Sequence, residues 1–163
     1  MERQVVAQYP DFAVVRVTVE GATQEIVSHP GSVAVVAVDD QQRVALVRQV
    51  RVAAGGSLLE LPAGSLRPEE TPEQAAAREL REETGFTAGS WRRLAQFYLV
   101  PGYGSECMTL FLATGLAGGP QSLEPDEAIE VVLIPLADLA AQARAGGLHD
   151  AKTIAGVLLA GAL

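Results

Sequence analysis

Cysteine and aromatic residues are scarce in this chain, and both shortages limit what it can be. Cys107 is the single cysteine among 163 residues, so no disulfide can form within the chain. That is typical of proteins from reducing compartments. Without a Cys-x-x-Cys pair or a His/Cys cluster, a structural zinc site is not expected. We interpret Cys107 as a small core residue rather than a nucleophile. Aromatic residues make up only 5% of the chain, which leaves few side chains that could stack on a base.

Positive charge is scarce as well. Twelve Lys and Arg residues against twenty Asp and Glu residues give a net charge of −8. This balance argues against nonspecific nucleic-acid binding and against attachment to an anionic membrane surface. No apolar run reaches transmembrane length and the N-terminus has no signal-peptide pattern, so we expect a cytoplasmic protein without a membrane partner. An anionic small-molecule substrate is not excluded, because metal ions and a few arginines set the potential inside a pocket.

The order of apolar and polar segments predicts one α/β domain. At 163 residues and 48% hydrophobic content, the chain is long enough to bury a full core. Apolar runs predict strands near residues 12–19, 24–28, 33–38, 43–50, 92–98, 107–114 and 129–134, and helices near residues 136–145 and 151–162. Strands, one helix, further strands and then two helices predict a mixed sheet packed between helices, not a doubly wound parallel sheet.

The segment from residue 64 to residue 86 carries most of the functional information. It reads GSLRPEETPEQAAARELREETGF. Thr71 is a typical N-cap, Pro72 suits the first helical position, and Gln74 completes a capping box. Gly85 is suited to the residue that follows a helix. The sequence therefore predicts a helix that begins at Pro72 and ends at residue 83 or 84.

Three glutamates of this helix share one face. Glu79 lies three residues before Glu82 and four before Glu83, and like charges at those spacings repel each other. A cation between them removes the repulsion, and hard carboxylate oxygens suit Mg2+ or Mn2+ bound together with substrate phosphates. Helices rich in Glu and Arg are more often solvated surfaces. That alternative, however, predicts neither Gly64 nor Glu70 at a fixed distance from the helix.

The complete segment resembles the Nudix box and matches it at every specified position. The fold class that this resemblance implies is α/β, as an α/β/α sandwich with a mixed sheet and N-terminal antiparallel strands. Arg78 would pair with Glu70 and orient the glutamates, and Glu82 would act as a metal ligand or in catalysis. The cofactor implied is Mg2+, with Mn2+ as the alternative. The implied metal ligands are Glu79, Glu82, Glu83 and the carbonyl oxygen of Ala63.

Segments outside the box resemble the ADP-ribose pyrophosphatase branch of that family. They are EIVSHPGSVAVVAV followed by ALVRQVR, LELPAG directly before the box, Pro101 at 16 residues after Gly85, and DAKT at residues 150–153. The implied reaction is hydrolysis of ADP-ribose to AMP and ribose 5-phosphate. The branch often has an aromatic residue where this chain has Val50, so another nucleoside diphosphate sugar remains an alternative. Candidates for stacking the base are Phe12, Tyr9, Tyr103 and, less favoured, Trp91.

The resemblance also implies further site residues. In the branch the catalytic base tends to be a glutamate in the loop before the last strand, which favours Glu127, then Glu124, with Glu106 third. Arg48 and Arg51 are candidates for phosphate or ribose contacts, although an odd spacing puts them on opposite faces of a strand. Glu60 would contact the substrate or support the site, and Glu106 is a second candidate contact. We interpret His29 as structural.

Subunit organisation is implied by the resemblance alone. Residues 1–30 would be an N-terminal strand arm that is exchanged between the subunits of a homodimer, and residues 31–163 would be the catalytic domain. A non-catalytic module that binds nucleotide sugars is the alternative from another class, but such a module often lacks the box glutamates, which are all present here. An enzyme that removes oxidised nucleoside triphosphates is disfavoured by the long arm.

Overall fold

The computed structural model describes residues 2–10, 12–123 and 128–162, which form two β-sheets and three α-helices. The strands are β1 (Glu2–Gln8), β2 (Ala13–Val19), β3 (Ala22–Ser28), β4 (Ser32–Val38), β5 (Arg43–Arg51), β6 (Gly56–Glu60), β7 (Ala63–Ser65), β8 (Thr87–Tyr98), β9 (Cys107–Ala117) and β10 (Glu130–Pro135). The helices are α1 (Pro72–Thr84), α2 (Leu136–Arg144) and α3 (Ala151–Ala160), with a short 3-10 helix at Val52–Ala54. None of the described helices is long and apolar enough to cross a membrane.

The larger sheet is mixed, as the sequence predicted. Its main path runs β10–β5–β4–β9–β8, while β6 pairs with β5 and β7 pairs with β4. The β4–β9 pair is parallel and the other pairs in this sheet are antiparallel. All seven residues of β4 are buried. A strand buried on both faces needs apolar side chains at successive positions, which explains the continuous apolar run in this part of the sequence.

Two apolar cores lie on opposite faces of the larger sheet, since successive side chains of a strand point to opposite sides. Val36 of β4 belongs to the core that also contains Leu139 of α2 and Val157 of α3. Val35, the preceding residue, belongs to the core that contains Leu80 of α1. Helices therefore cover both faces of the sheet, and the predicted α/β/α sandwich is confirmed.

The N-terminal strands form a separate sheet that rests on the rest of the same chain. β1, β2 and β3 pair in that order and are antiparallel. The backbone N–H of Val27 donates to the carbonyl oxygen of Tyr103 at 2.8 Å, and the N–H of Ser105 donates to the carbonyl oxygen of Val27 at 2.9 Å. The loop between β8 and β9 thus holds this sheet in place within one chain. Exchange of the arm between subunits stays a prediction.

Several element boundaries differ from those expected. β1 was not predicted, because most of its side chains are exposed and its sequence lacks a clear apolar face. β8 begins five residues earlier than residue 92, since its first half pairs with the end of β9, which continues to Ala117. Cys107 opens β9 and is only partly buried, so it lies at the margin of the core and not inside it.

α3 approaches the larger sheet closely where Gly156 faces it. A Cβ atom at this position would lie 2.6 Å from Cδ1 of Leu61 and 2.9 Å from Cγ2 of Val36. Both of these side chains are completely buried. Neither can move aside without repacking the core, because protein interiors are close-packed.

We expect Gly156→Ala to destabilise the protein. Overpacking of this kind costs about 1–3 kcal/mol. Better helix propensity returns about 1 kcal/mol, so a net loss of about 1 kcal/mol in the free energy of unfolding is expected. Urea denaturation followed by circular dichroism measures the loss. Gly102→Ala is the control, because a Cβ atom at Gly102 meets no atom within 4 Å. A Gly156→Ala protein as stable as the wild type would contradict this close approach.

Candidate active site

α1 is built as its sequence predicts. The side-chain oxygen of Thr71 accepts a hydrogen bond from the Gln74 backbone N–H at 3.2 Å, and the Thr71 N–H donates to Oε1 of Gln74 at 2.9 Å. Gly85 follows the helix with a φ of 75°, and its N–H donates to the carbonyl oxygen of Arg81. Both ends of the helix are thereby fixed by residues next to it in sequence. Side chains on its last two turns are therefore held in a defined position.

Arg78 of α1 is the centre of a compact group of charges. Its Nε and Nη2 donate to the two carboxylate oxygens of Glu70 at 2.8 and 2.9 Å. Its Nη1 donates to Oε1 of Glu79 at 2.5 Å and to Oε2 of Glu82 at 3.1 Å, and Nη2 also donates to the carbonyl oxygen of Ser65. The hydrogen bond with Glu70 raises the pKa of Arg78 and lowers that of Glu70, so both groups stay charged. The expected pair of Arg78 with Glu70 is present.

Gly64 leaves the space that the Glu79 carboxylate occupies. A Cβ atom at Gly64 would lie 2.0 Å from Oε1 and 2.2 Å from Cδ of Glu79. Glu79 is buried, and this burial raises its pKa above the usual range. The glycine of the box is therefore needed for close approach to a carboxylate. A buried carboxylate with a raised pKa is held in its charged form more firmly when a further cation lies beside it.

Glu83 turns toward the strand segment that precedes the box. Its Oε2 accepts a hydrogen bond from the backbone N–H of Ala63 at 2.9 Å, and the side chain is almost completely buried. Across residues 2–10, 12–123 and 128–162, no three acidic, His or Cys side chains already surround a common point as metal ligands. Glu79 and Glu82 are turned to Arg78 instead. Carboxylate oxygens and a nearby backbone carbonyl are nevertheless the donors that a hard divalent cation prefers, and the missing side chain at Gly64 lets the Glu79 carboxylate lie against the strand that contains Ala63.

A cleft of about 970 Å³ lies beside this charged group. One wall is the box loop with Glu70, Glu79 and Glu82, and the other is the N-terminal sheet and the turn after it. Phe12 belongs to this second wall, and its ring stacks on that of Tyr9 with the centroids 4.7 Å apart. The cleft is therefore lined by three glutamates and also by Arg3, Arg67 and Arg78, with Phe12 on the opposite wall. Such a lining suits a ligand with a base and a metal-bound diphosphate.

The other aromatic candidates lie elsewhere. Trp91 packs edge-on against Phe111 in the core under α1, with the ring centroids 6.3 Å apart. Tyr103 is exposed on the loop between β8 and β9. Of the four candidates, Phe12 is the one whose side chain lines the cleft.

The predicted polar residues fall into separate places. Arg48 forms an ion pair with Glu130 of β10 at 3.3 Å and is not among the residues that line the cleft. Arg51 binds Glu60 through two hydrogen bonds, at 2.8 and 2.9 Å. Glu106 accepts a hydrogen bond from the hydroxyl of Ser32 at 2.8 Å. Arg51 and Glu60 are thus brought together, and Arg48 is not.

His29 holds the turn before β4. Its Nδ1 accepts a hydrogen bond from the backbone N–H of Gly31 at 3.1 Å, and its Nε2 lies 3.1 Å from the hydroxyl of Ser65. Its own backbone N–H donates to the hydroxyl of Ser105. These contacts fit the structural role expected for His29 and fix one wall of the cleft.

Glu124 and Glu127 lie outside the described residues. The loop that leads to them is attached to the end of α1. The side-chain nitrogen of Gln121 donates to the carbonyl oxygen of Glu83 at 2.6 Å, and the N–H of Ser122 donates to that of Glu82 at 3.0 Å. Helix ends leave such carbonyl groups without partners inside the helix, so this loop satisfies two of them.

Sequence reasoning missed three basic residues at or near the site. Arg3 of β1 and Arg67 of the box loop line the cleft, and Arg67 lies 3.5 Å from the Glu82 carboxylate. Lys152 of α3 is buried and donates to Oε2 of Glu60 at 2.5 Å. A lysine at the start of an otherwise apolar helix was the one sign in the sequence that Lys152 has a special position. Its partner Glu60 could not be identified from sequence, because it lies 92 positions away.

We expect Gly64→Ala to displace the Glu79 carboxylate and to weaken binding of a divalent cation. Titrating Mg2+ while recording the thermal midpoint of unfolding measures that binding, because a ligand of the native state raises the midpoint. Wild-type protein should show a rise that Gly64→Ala largely loses. The control is Gly56→Ala, where a Cβ atom meets nothing within 4 Å. An equal rise in wild type and Gly64→Ala would mean that Glu79 is not a ligand.

Comparison with known proteins agrees with this geometry. A model of the NUDIX domain matches residues 28–156. The chain is 39% identical to an ADP-ribose pyrophosphatase of Bacillus subtilis over 136 residues, which are 82% of this chain and 74% of that protein. It is 35% identical to a GDP-mannose pyrophosphatase of Citrobacter koseri over 71% of this chain and 64% of that protein. A solved structure described as an ADP compounds hydrolase superposes with a TM-score of 0.78 at 26% identity, covering 99% of this chain and 91% of the other. The chain therefore belongs to the Nudix hydrolase family.

Proposed function

We propose that this enzyme hydrolyses the diphosphate bond of ADP-ribose and releases AMP and ribose 5-phosphate, with Mg2+ as its cofactor. The observation that carries this proposal is the position of the box carboxylates in one wall of a cleft whose opposite wall contains Phe12. A diphosphate bound through a metal to Glu79 and Glu82 would have its base on the side of Phe12. The naming of the Bacillus subtilis relative supports ADP-ribose as the substrate.

The metal would be held by Glu79, Glu82 and Glu83, with the carbonyl oxygen of Ala63. When bound, Mg2+ supplies neutralisation of the diphosphate charge and a water that is more easily deprotonated. Arg78 orients two of these carboxylates through its hydrogen bonds to Glu79 and Glu82. Its five hydrogen bonds to protein atoms leave it a supporting role and not a substrate contact.

The general base that we propose is Glu127, with Glu124 and Glu106 as the alternatives. The attachment of residues 121 and 122 to the end of α1 supports a base from this loop, because the chain is fixed beside the metal-binding helix two residues before Glu124. A carboxylate there would take a proton from the attacking water. Glu106 accepts a hydrogen bond from Ser32 through Oε1, and Oε2 is the oxygen that would take the proton.

The proposal also covers subunit organisation and location. We propose a cytoplasmic homodimer in which residues 1–30 form an arm exchanged between subunits and residues 31–163 form the catalytic domain. Apolar side chains on the N-terminal sheet support a partner, since Val5 is 58% and Val19 is 50% exposed. The acidic net charge of −8 supports a small-molecule substrate and not a nucleic acid.

A hydrolysis panel with product identification tests the function. With Mg2+ present, ADP-ribose should be hydrolysed with the highest kcat/KM in a panel that also contains UDP-glucose, GDP-mannose, diadenosine polyphosphates and nucleoside triphosphates. Chelation of the metal by EDTA should abolish turnover. Glu83→Gln should lose activity while remaining folded, and Glu73→Gln, at an exposed position of the same helix, should keep it. Preference for another nucleoside diphosphate sugar would be consistent with diphosphate hydrolysis but would contradict ADP-ribose as the substrate. Binding without any turnover would favour the non-catalytic module.

Substitution of the proposed base gives a second test. We expect Glu127→Gln to lower kcat by at least about a hundredfold, because the amide cannot accept the proton of the water. KM should change little, since the substrate is held by other groups. Glu124→Gln and Glu106→Gln are the comparison variants and should each keep kcat within about tenfold of wild type. If Glu127→Gln turns over like the wild type, the variant with the largest loss identifies the base.

A further inference from the structure

The turn after β3 is hydrogen-bonded to the first residues of the box. Nε2 of His29 lies 3.1 Å from the hydroxyl oxygen of Ser65, and the two residues are 36 positions apart in the sequence. The backbone N–H of Leu66 donates to the carbonyl oxygen of Gly31 at 3.0 Å. The backbone N–H of His29 is itself bound to the hydroxyl of Ser105 at 3.0 Å. A side-chain contact and a backbone contact therefore join this turn to the box.

The hydrogen bonds of His29 determine which ring nitrogen carries the proton. Nδ1 accepts from the backbone N–H of Gly31 at 3.1 Å, so Nδ1 carries no proton. A neutral imidazole has one protonated nitrogen, which must then be Nε2, and this N–H donates to the hydroxyl oxygen of Ser65. The ring cannot act as a base toward Ser65, because the nitrogen that faces the hydroxyl already holds a proton. Ser65 is therefore not an activated nucleophile.

The hydroxyl of Ser65 still has its own proton to donate. A hydroxyl has one donor and two acceptor sites, and His29 uses one of the acceptor sites. Within residues 2–10, 12–123 and 128–162, no protein atom accepts a hydrogen bond from this hydroxyl. Ser65 is exposed and lines the cleft next to Gly64. Its O–H group is thus a donor at the wall of the cleft without a described protein acceptor.

Ser65 is held close to the glutamates of the box. Its carbonyl oxygen accepts from Nη2 of Arg78 at 3.1 Å, and Nη1 of the same guanidinium donates to Glu79 and Glu82. Its neighbour Gly64 leaves the space in which the Glu79 carboxylate lies. β7, which ends at Ser65, pairs with β4, so the residue belongs to the sheet and not to a free loop. A diphosphate bound through a metal to these glutamates would have its oxygen atoms beside Ser65.

We propose that Ser65 is a substrate-binding residue whose hydroxyl donates a hydrogen bond to a non-bridging oxygen of the diphosphate, and that His29 is the positioning residue that directs this donor. The inference rests on the proposed function, since it takes a diphosphate as the ligand. Hydrogen bonds to an ionised oxygen are roughly twice as strong as those between neutral groups. A donor that is already oriented also loses less conformational freedom on binding. Arg78 cannot replace this contact, because its five hydrogen bonds all go to protein oxygens.

Calorimetric titration with α,β-methylene-ADP in a buffer containing Mg2+ tests the contact, because this diphosphate analogue is not hydrolysed at its methylene bridge. We expect Ser65→Ala to weaken binding about tenfold, since it removes a hydrogen bond to a charged oxygen. Ser65→Thr keeps the hydroxyl and should stay within about threefold of wild type. The matched control is Ser57→Ala, at an exposed strand position that does not line the cleft, and it should bind like the wild type.

His29→Asn tests the positioning role separately. The Oδ1 atom of Asn can accept from the backbone N–H two residues on, which keeps the hydrogen bond to Gly31, but Asn has no atom in place of Nε2. We expect a loss of about threefold in affinity, because Ser65 must then be ordered on binding, with little change in the thermal midpoint of unfolding. Added to Ser65→Ala, His29→Asn should cause no further loss. A purely structural role of His29 predicts the same loss in both backgrounds.

Three results would overturn the inference: wild-type affinity in Ser65→Ala, an undiminished loss from His29→Asn when the Ser65 hydroxyl is absent, or a wild-type protein that does not bind the analogue. Circular dichroism verifies folding, and His29→Ala replaces His29→Asn if the latter does not fold. Failure of the proposed function has a different signature. Binding that depends on the Ser65 hydroxyl, together with no hydrolysis of any substrate in the panel, would refute the enzyme activity and leave the contact intact.

Discussion

The site depends on one cation that holds together several carboxylates. Glu70, Glu79 and Glu82 all accept hydrogen bonds from Arg78, whose side chain is 12% exposed. Without that guanidinium, the last turns of α1 would hold like charges at spacings that repel. Removing Arg78 would also take its cation from Glu79, which is buried, and breaking a buried ion pair in this way costs far more than a surface ion pair contributes. The box helix can therefore present an acidic face to the cleft only because a single arginine is enclosed within it.

The fold explains why this acidic face lies where it does. β4 is buried on both sides and separates the core under α1 from the core under α2 and α3. β7, which contains Gly64, pairs with β4, and Glu60 and Leu61 are tied to α3. The segment from residue 60 to residue 64 is thus anchored to both helical layers through one sheet. A site built on such a segment is held more accurately than one built on a free loop.

Local signals made part of this predictable from sequence. The caps of α1 and the spacing of its glutamates lie within 23 residues, so the helix was predicted correctly from local pattern. The Arg78–Glu70 pair was expected from the resemblance to the Nudix box, and it is present. β1 was missed because it becomes a strand by pairing with β2 and not through its own pattern. Lys152 was missed because its partner Glu60 is remote in sequence. Arg48 and Arg51, three residues apart, were expected on opposite faces of the strand, but their partners Glu130 and Glu60 are set by the pairing of the sheet and not by local sequence.

Arg78 and Arg51 have different roles because they differ in exposure and in the partners around them. Arg78 donates all five of its hydrogen bonds to protein oxygen atoms, and its charge is balanced by the carboxylates around it. Arg51 is bound along one edge by a carboxylate that Lys152 also neutralises, and much of its side chain remains exposed. The net charge of −8 is a property of the whole chain and does not distinguish the two arginines. What distinguishes them is how cations and carboxylates are shared: one carboxylate lies between Arg51 and Lys152, whereas three carboxylates surround Arg78.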